Sequence, residues 1–311
     1  MKNFLPAANN FLSRNVHWVT LSSIPLGFST DIFNYVSGEF LACVLFVELF
    51  IACFKIRFEE VKEIKYASVV GFFLARFVIF PILLFLLLQS FSQPLAIAVL
   101  LLALAPAGVT SPAFTGLVNG NVSLTIIIVL ISSLLAPFYL PYILSFFIGT
   151  DIQIDILALL KTIAIIVIVP LVMHIPFRKS NHFKSFMIDN NPILILPMVV
   201  FCYTVPFSKN REFLFLEPVK AVGIIIFCVL FYLLASGVGR FAGRTNGESC
   251  QKSYLVTAVM HNITLITVLA IMHLPKEVSS IINFANVAVC MIVAFIIYRI
   301  NKKSGAQMSD R

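Results

Sequence analysis

Long runs of apolar residues, separated by short clusters of charge, fill almost the whole chain. A hydrocarbon core of roughly 30 Å takes about 20 apolar residues when crossed as a helix. The pattern predicts ten such helices, near residues 15–28, 36–54, 67–90, 94–118, 121–148, 155–177, 192–207, 219–241, 250–274 and 277–300. The first and seventh are the shortest. Two of the ten are broken in the middle. Between Leu104 and Phe114 (LAPAGVTSPAF), Pro106 and Pro112 have no backbone N–H to donate and Gly108 weakens the helix. Between Thr257 and Thr264 (TAVMHNIT), polar residues interrupt the second. Backbone groups freed at membrane depth find no water, so these breaks must face protein or a cavity.

The polar stretch 149–155 divides the spans five and five. An odd number per half sends the second half into the membrane from the opposite side, which makes the halves inverted repeats, 1–148 and 155–300, followed by a tail at 301–311. The broken span is the fourth in each half, the arrangement of a secondary transporter whose site lies near the bilayer midplane. The predicted fold class is therefore an all-α polytopic membrane protein with ten transmembrane helices.

Composition agrees: of 311 residues 60% are hydrophobic and 12% charged, with a mean hydropathy of +1.00. Such a chain aggregates in water and suits lipid. The net charge of +8 is not a nucleic-acid footprint, because the basic residues fall in alternate loops. With both termini inside, only Lys209, Arg211, Lys220 and Lys276 of the 22 Lys and Arg lie outside. Arg76 and Lys161 lie within spans and the other sixteen on the inner side, which is the distribution that orients membrane proteins. The predicted location is a bacterial inner membrane with both termini cytoplasmic. The six cysteines are scattered without metal spacing, no removable signal peptide is evident, and His17 and Trp18 read as interfacial anchors.

Polar residues inside the spans carry the candidate chemistry. Arg76 sits deep in the third span, where a guanidinium costs roughly 2.5–3.5 kcal/mol on insertion scales. It pairs with Glu48, the one carboxylate deep in a span, or serves as a fixed cation that attracts an anion or stands in for a metal ion; with five donors it can do both. Asn262 and His261, in the second break, need hydrogen-bond partners in protein, water or ligand, and His261 is either a titrating group or a neutral tie for free carbonyls. Asn286, Thr110, Ser111 and Thr125 add side-chain oxygens. There is no phosphate loop, metalloprotease helix, serine-nucleophile motif or repeated filter sequence, so pumping by ATP, proteolysis, enzymic turnover and channel conduction have no support.

The stretch APAGVTSPAFTGLVNGNVSLTIIIVLISSLLAPFYLP, from Ala105 to Pro141, resembles the broken fourth and the fifth helix of the bile acid:sodium symporter family. FIACFKIRFEEV, ARFVIFP, AVMHN and the spacing of Asn286 to Arg299 follow the same order. The resemblance implies a core of helices three to five and eight to ten, a panel of helices one, two, six and seven, and a crossing of helices four and nine at their breaks. It implies alternating-access transport of a small organic anion, a bile acid or a carboxylate, with sodium ions and no other cofactor. Asn262 and Asn286 match substrate contacts of relatives, with Arg76, His261 and Thr110 beside them; Ser111, Thr125, Thr257 and His261 match sodium-site positions. Several of these depart from the family: Pro112 stands for an asparagine, Val129 for a hydroxyl, Thr257 for a glutamate shared by both ions, and Arg76 and His261 for glutamines. A sodium ion about 4 Å from Arg76 meets a repulsion of roughly 4 kcal/mol at an effective dielectric near 20. The expectation is a carrier in which Arg76 replaces one bound cation, coupled to one ion, to a proton or to nothing. The alternative of another class is a non-transporting membrane sensor or binding protein. Partners are the organic anion and the bilayer, with no nucleic acid; substrate and oligomeric state stay open.

Overall fold

The computed structural model describes residues 4–54, 66–148 and 155–283. All its regular elements are helices: α1 (Phe4–Arg14), α2 (Val16–Leu21), α3 (Ser23–Ser29), α4 (Gly38–Cys53), α5 (Tyr66–Leu74), α6 (Phe80–Leu88), α7 (Gln93–Leu104), α8 (Ser111–Leu117) and α9 (Val122–Ile148), then α10 (Ile156–Arg178), α11 (Asn181–Asp189), α12 (Asn191–Lys209), α13 (Arg211–Leu216), α14 (Pro218–Gly243), α15 (Glu248–Val259) and α16 (Ile263–His273). Among the described residues, five stretches are long and apolar enough to cross a bilayer: Tyr66–Leu88, Val122–Phe147, Ile156–Arg178, Asn191–Lys209 and Pro218–Gly243. The chain is a multi-pass membrane protein. The predicted span at 15–28 is split between α2 and α3, and most of the predicted span at 277–300 lies outside the described residues.

Local sequence sets the helix starts. The Ser37 side chain accepts from Phe40 N (3.2 Å) to cap α4, Ser92 accepts from Leu95 N (3.4 Å) at α7, and Asp155 accepts from Ala158 N (2.9 Å) at α10. Pro81 has no N–H for the carbonyl four residues back, and the turn before it, Ala75–Ile79, relaxes to a π-helical segment that joins α5 to α6. Arg76 lies in that segment.

The two broken spans occupy the interior. Every residue from Ala96 to Leu104 in α7 and from Ile263 to Ala270 in α16 is buried, whereas only 28% of the most apolar stretch is buried in α10 and in α14. The long helices thus turn apolar surface outward to lipid and enclose the pieces whose backbone could not tolerate it. Packing falls into two groups. In one, α4 lies against α10 and α12, and α3 against α12; in the other, α14 runs along α15, α6 along α7, and α9 touches α7, α8 and α15. They meet where α9 touches α10 and where α16 touches α4, α10 and α12. The second break is narrower than the sequence predicts: α15 continues to Val259 and α16 begins at Ile263, because the Thr257 hydroxyl bonds within its own turn and leaves the helix intact.

Candidate functional site

The first break runs from Ala105 to Thr110, the second from Met260 to Asn262, and the two cross. Ala107 and His261 form an antiparallel bridge, with Gly108 N donating to Met260 O (2.7 Å) and Asn262 N to Pro106 O (2.8 Å). Gly108 is required by this approach: a Cβ there would stand 2.7 Å from His261 O. Side chains satisfy the other freed groups. Ala107 N donates to Ser132 Oγ (3.1 Å), Tyr139 OH to Leu104 O (2.7 Å) and Ser111 Oγ to Met260 O (3.1 Å). Unwound backbone at membrane depth is therefore paid for bond by bond within the protein.

Arg76 completes the joint. It is fully buried, and its Nε donates to Ala258 O (2.9 Å) and its Nη1 to Ala103 O (2.8 Å). Those two carbonyls close α15 and α7, so one guanidinium lies at the negative ends of both half-helices, where a cation is stabilised. Nη2 contacts the His261 imidazole Nε2, and that ring nitrogen also lies 2.8 Å from Ala258 O. Phe77 and Phe80, both 5.3 Å from the guanidinium carbon, and Phe231, at 6.0 Å, enclose the charge. Glu48 is not among its partners, and Glu48 Oε2 is buried without a hydrogen bond.

Of the remaining sequence-predicted residues, Asn262 and Ser111 bond at the crossing, while Thr110, Thr125 and Thr257 lie on the elements beside it. Asn262, 4% exposed, caps α16 through its side-chain oxygen, which accepts from Leu265 N (3.1 Å), and its Nδ2 is a buried donor with no partner. Ser111 is buried and Thr110, half-buried, precedes α8 without capping it. Thr125 Oγ1 shares a hydrogen bond with Thr115 Oγ1 (2.9 Å). The Thr257 hydroxyl donates to Ser253 O (2.8 Å) and Tyr254 O (3.1 Å) of its own helix. Asn286 and Arg299 lie outside the described residues.

The Ala103 and Ala258 carbonyls accept from Arg76, and the hydroxyls of Ser111, Thr125 and Thr257 are engaged with protein atoms.

Beside the crossing lies a cavity between the two packing groups. Leu49 and Cys53 of α4, Val109 and Pro112 of the first break, and Val129 and Leu130 of α9 contribute apolar wall. Ser133 and Asn191 are its polar groups, and Ser133 Oγ and Asn191 Nδ2 are both buried without partners. Sequence reasoning missed both: Ser133 is one hydroxyl in an apolar run, and Asn190-Asn191-Pro192 reads as a helix start in a polar linker.

A family model described as "Sodium Bile acid symporter family" matches residues 42–217, more than half of the chain and including the first break and the cavity's α4, α9 and α12 walls. The chain is also similar to "Uncharacterized protein YbaS" of Bacillus subtilis (strain 168), 26% identical over 196 residues. That alignment covers 60% of this chain and 63% of the relative, so it spans less than two thirds of the relative's length. By the extent of the family match, the chain belongs to the sodium bile acid symporter family.

Proposed function

We propose that the protein is a secondary carrier of a small organic anion, working by alternating access in a bacterial inner membrane with both termini cytoplasmic, and that Arg76 takes the place of one coupling cation. The observation that carries the second part is the guanidinium on Ala103 O and Ala258 O, at the C-terminal ends of two half-helices. A fixed charge there neutralises the joint in every step of the cycle, so no ion need bind and leave at that point. In this reading α5 to α9 with α14 to α16 form the core, and α2, α3, α4, α10 and α12 the panel. The two halves, 1–148 and 155–300, are inverted repeats.

The anion's apolar body lies in the cavity, where Asn191 Nδ2 and Ser133 Oγ offer donors, and its charged end turns to the crossing. The free Nδ2 of Asn262 and the N-terminus of α16 favour negative charge there. Bile acids and pantoate-like carboxylates both fit this division into apolar body and acceptor.

A thermal-shift screen of the purified protein with cholate, taurocholate and pantoate, each in sodium and in potassium, tests the reading. A ligand at a hundredfold its Kd adds about 2.7 kcal/mol. At least one carboxylate is expected to raise the melting temperature, equally in both salts. No shift with any anion, or a shift confined to sodium, refutes it. Saturable stabilisation without flux in vesicles would make the protein a sensor.

A further inference from the structure

Glu48 is the second deep charge of the described chain and has no place in the joint. It lies in the middle of α4, is 2% exposed, and Oε2 is enclosed without a donor. The ion pairs among the described residues lie elsewhere, joining Arg211 to Asp31, Lys220 to Glu217 and Lys252 to Glu248. Helices α10, α12 and α16 pack against α4, and their titratable groups are accounted for. From α12 the Cys202 thiol and Tyr203 are buried, and Lys209 donates to Asn34 O at the helix end. On α10, Lys161 is exposed, His174 lies edge-on to Phe54 with Nδ1 on Leu171 O, and Arg178 is at the final turn. His273 of α16 bonds Thr162. None supplies a cation to Glu48. A buried carboxylate with no cation beside it is a costly charge in apolar surroundings.

Its sequence neighbours place Glu48 next to the cavity. Leu49, the next residue, and Ala52 and Cys53, one turn on, line the cavity from α4; Asn191 and Ile195 line it from α12.

We propose that Glu48 is the carrier's proton site: it holds a proton while the cavity is closed to water and releases it when the cavity opens. This rests on the carrier reading above and supplies its coupling ion. One proton binds the carboxylate on one side and passes to water on the other, leaving the carboxylate to be reprotonated; nothing is oxidised or reduced. A proton accompanying a monovalent anion makes the transport step electroneutral.

Infrared difference titration and proteoliposome flux of the full chain test this together. Wild-type protein should show a protonated-carboxyl stretch at neutral pH that disappears in Glu48→Gln. With radiolabelled taurocholate and pantoate, Glu48→Gln should keep exchange within about twofold of wild type but lose at least tenfold of the accumulation driven by an inward proton gradient, and Glu48→Asp should restore part of it. An imposed potassium diffusion potential should leave wild-type uptake unchanged. A carboxyl stretch that persists in Glu48→Gln, or pH-driven accumulation unchanged by that substitution, overturns the proposal. Wild-type protein that moves neither anion refutes the carrier reading and the coupling with it, while the infrared band still decides whether Glu48 holds the proton.

Discussion

Replacing Arg76 by Gln removes a charge from the point where the two breaks are joined, and the structure sets the size of the effect. Two carbonyls, Ala103 O and Ala258 O, lose a charged donor. Hydrogen bonds to charged groups contribute about 1.5–3 kcal/mol each, so the loss is about 3–6 kcal/mol. At roughly 2–4 °C per kcal/mol the melting temperature falls by on the order of 6 °C or more. Arg76→Lys keeps the charge without the fork that spans both carbonyls, and should fall between. If the guanidinium stands in for a cation, Arg76→Gln also opens a site with two carbonyl oxygens at the negative ends of two helices, and sodium should fill it. Sodium at a hundredfold its Kd would then return about 2.7 kcal/mol to the variant. Potassium should return less, and wild type should not respond to the exchange of salts. The assay is thermal unfolding of wild type and variants in detergent, in matched sodium and potassium chloride. Unfolding of Arg76→Gln at the wild-type temperature, or an identical loss in both salts, would refute the substitution of guanidinium for ion.

Other changes separate the parts of the site. Gly108→Ala places a methyl 2.7 Å from the His261 carbonyl oxygen; because the obstacle is backbone, the breaks must part, with about 1–3 kcal/mol of stability and most uptake lost, measured by thermal shift and vesicle flux. Asn262→Asp keeps the oxygen that caps α16 but replaces its free donor by a negative acceptor, so anion-induced stabilisation should vanish while the protein remains folded. Asn262→Ala should lose about 1 kcal/mol from the cap as well. Asn191→Leu removes a buried donor without a partner; calorimetric affinity for the bound carboxylate should fall about tenfold, with the unliganded melting temperature held or raised.

The breaks were legible because Pro106, Gly108 and Pro112 interrupt an apolar run in a way no spanning helix permits, and their crossing followed from the family likeness of Ala105 to Pro141. That Arg76 needed partners followed from its depth alone. Their identity did not: Ala103 O and Ala258 O are backbone atoms, which leave no mark in the sequence. Glu48 offered an opposite charge at similar depth, but α4 packs on α10, α12 and α16, while the Arg76 segment packs on α5, α6, α7 and α14. Spacing along one helix does not report which neighbour another helix chooses. The width of the second break was also hidden, since Thr257 and Thr264 are polar in composition yet buried within regular helix. The cavity's two donors, Ser133 and Asn191, come from helices distant in sequence and become a pair only in the packed bundle.

The most direct measurement of the central claim is the initial rate of organic-anion uptake into proteoliposomes with all sodium replaced by potassium on both sides. A carrier whose joint is neutralised by Arg76 keeps its rate within about twofold. A rate that falls to background, and returns with sodium at a Hill coefficient near two, would show that two ions still bind and would contradict the account.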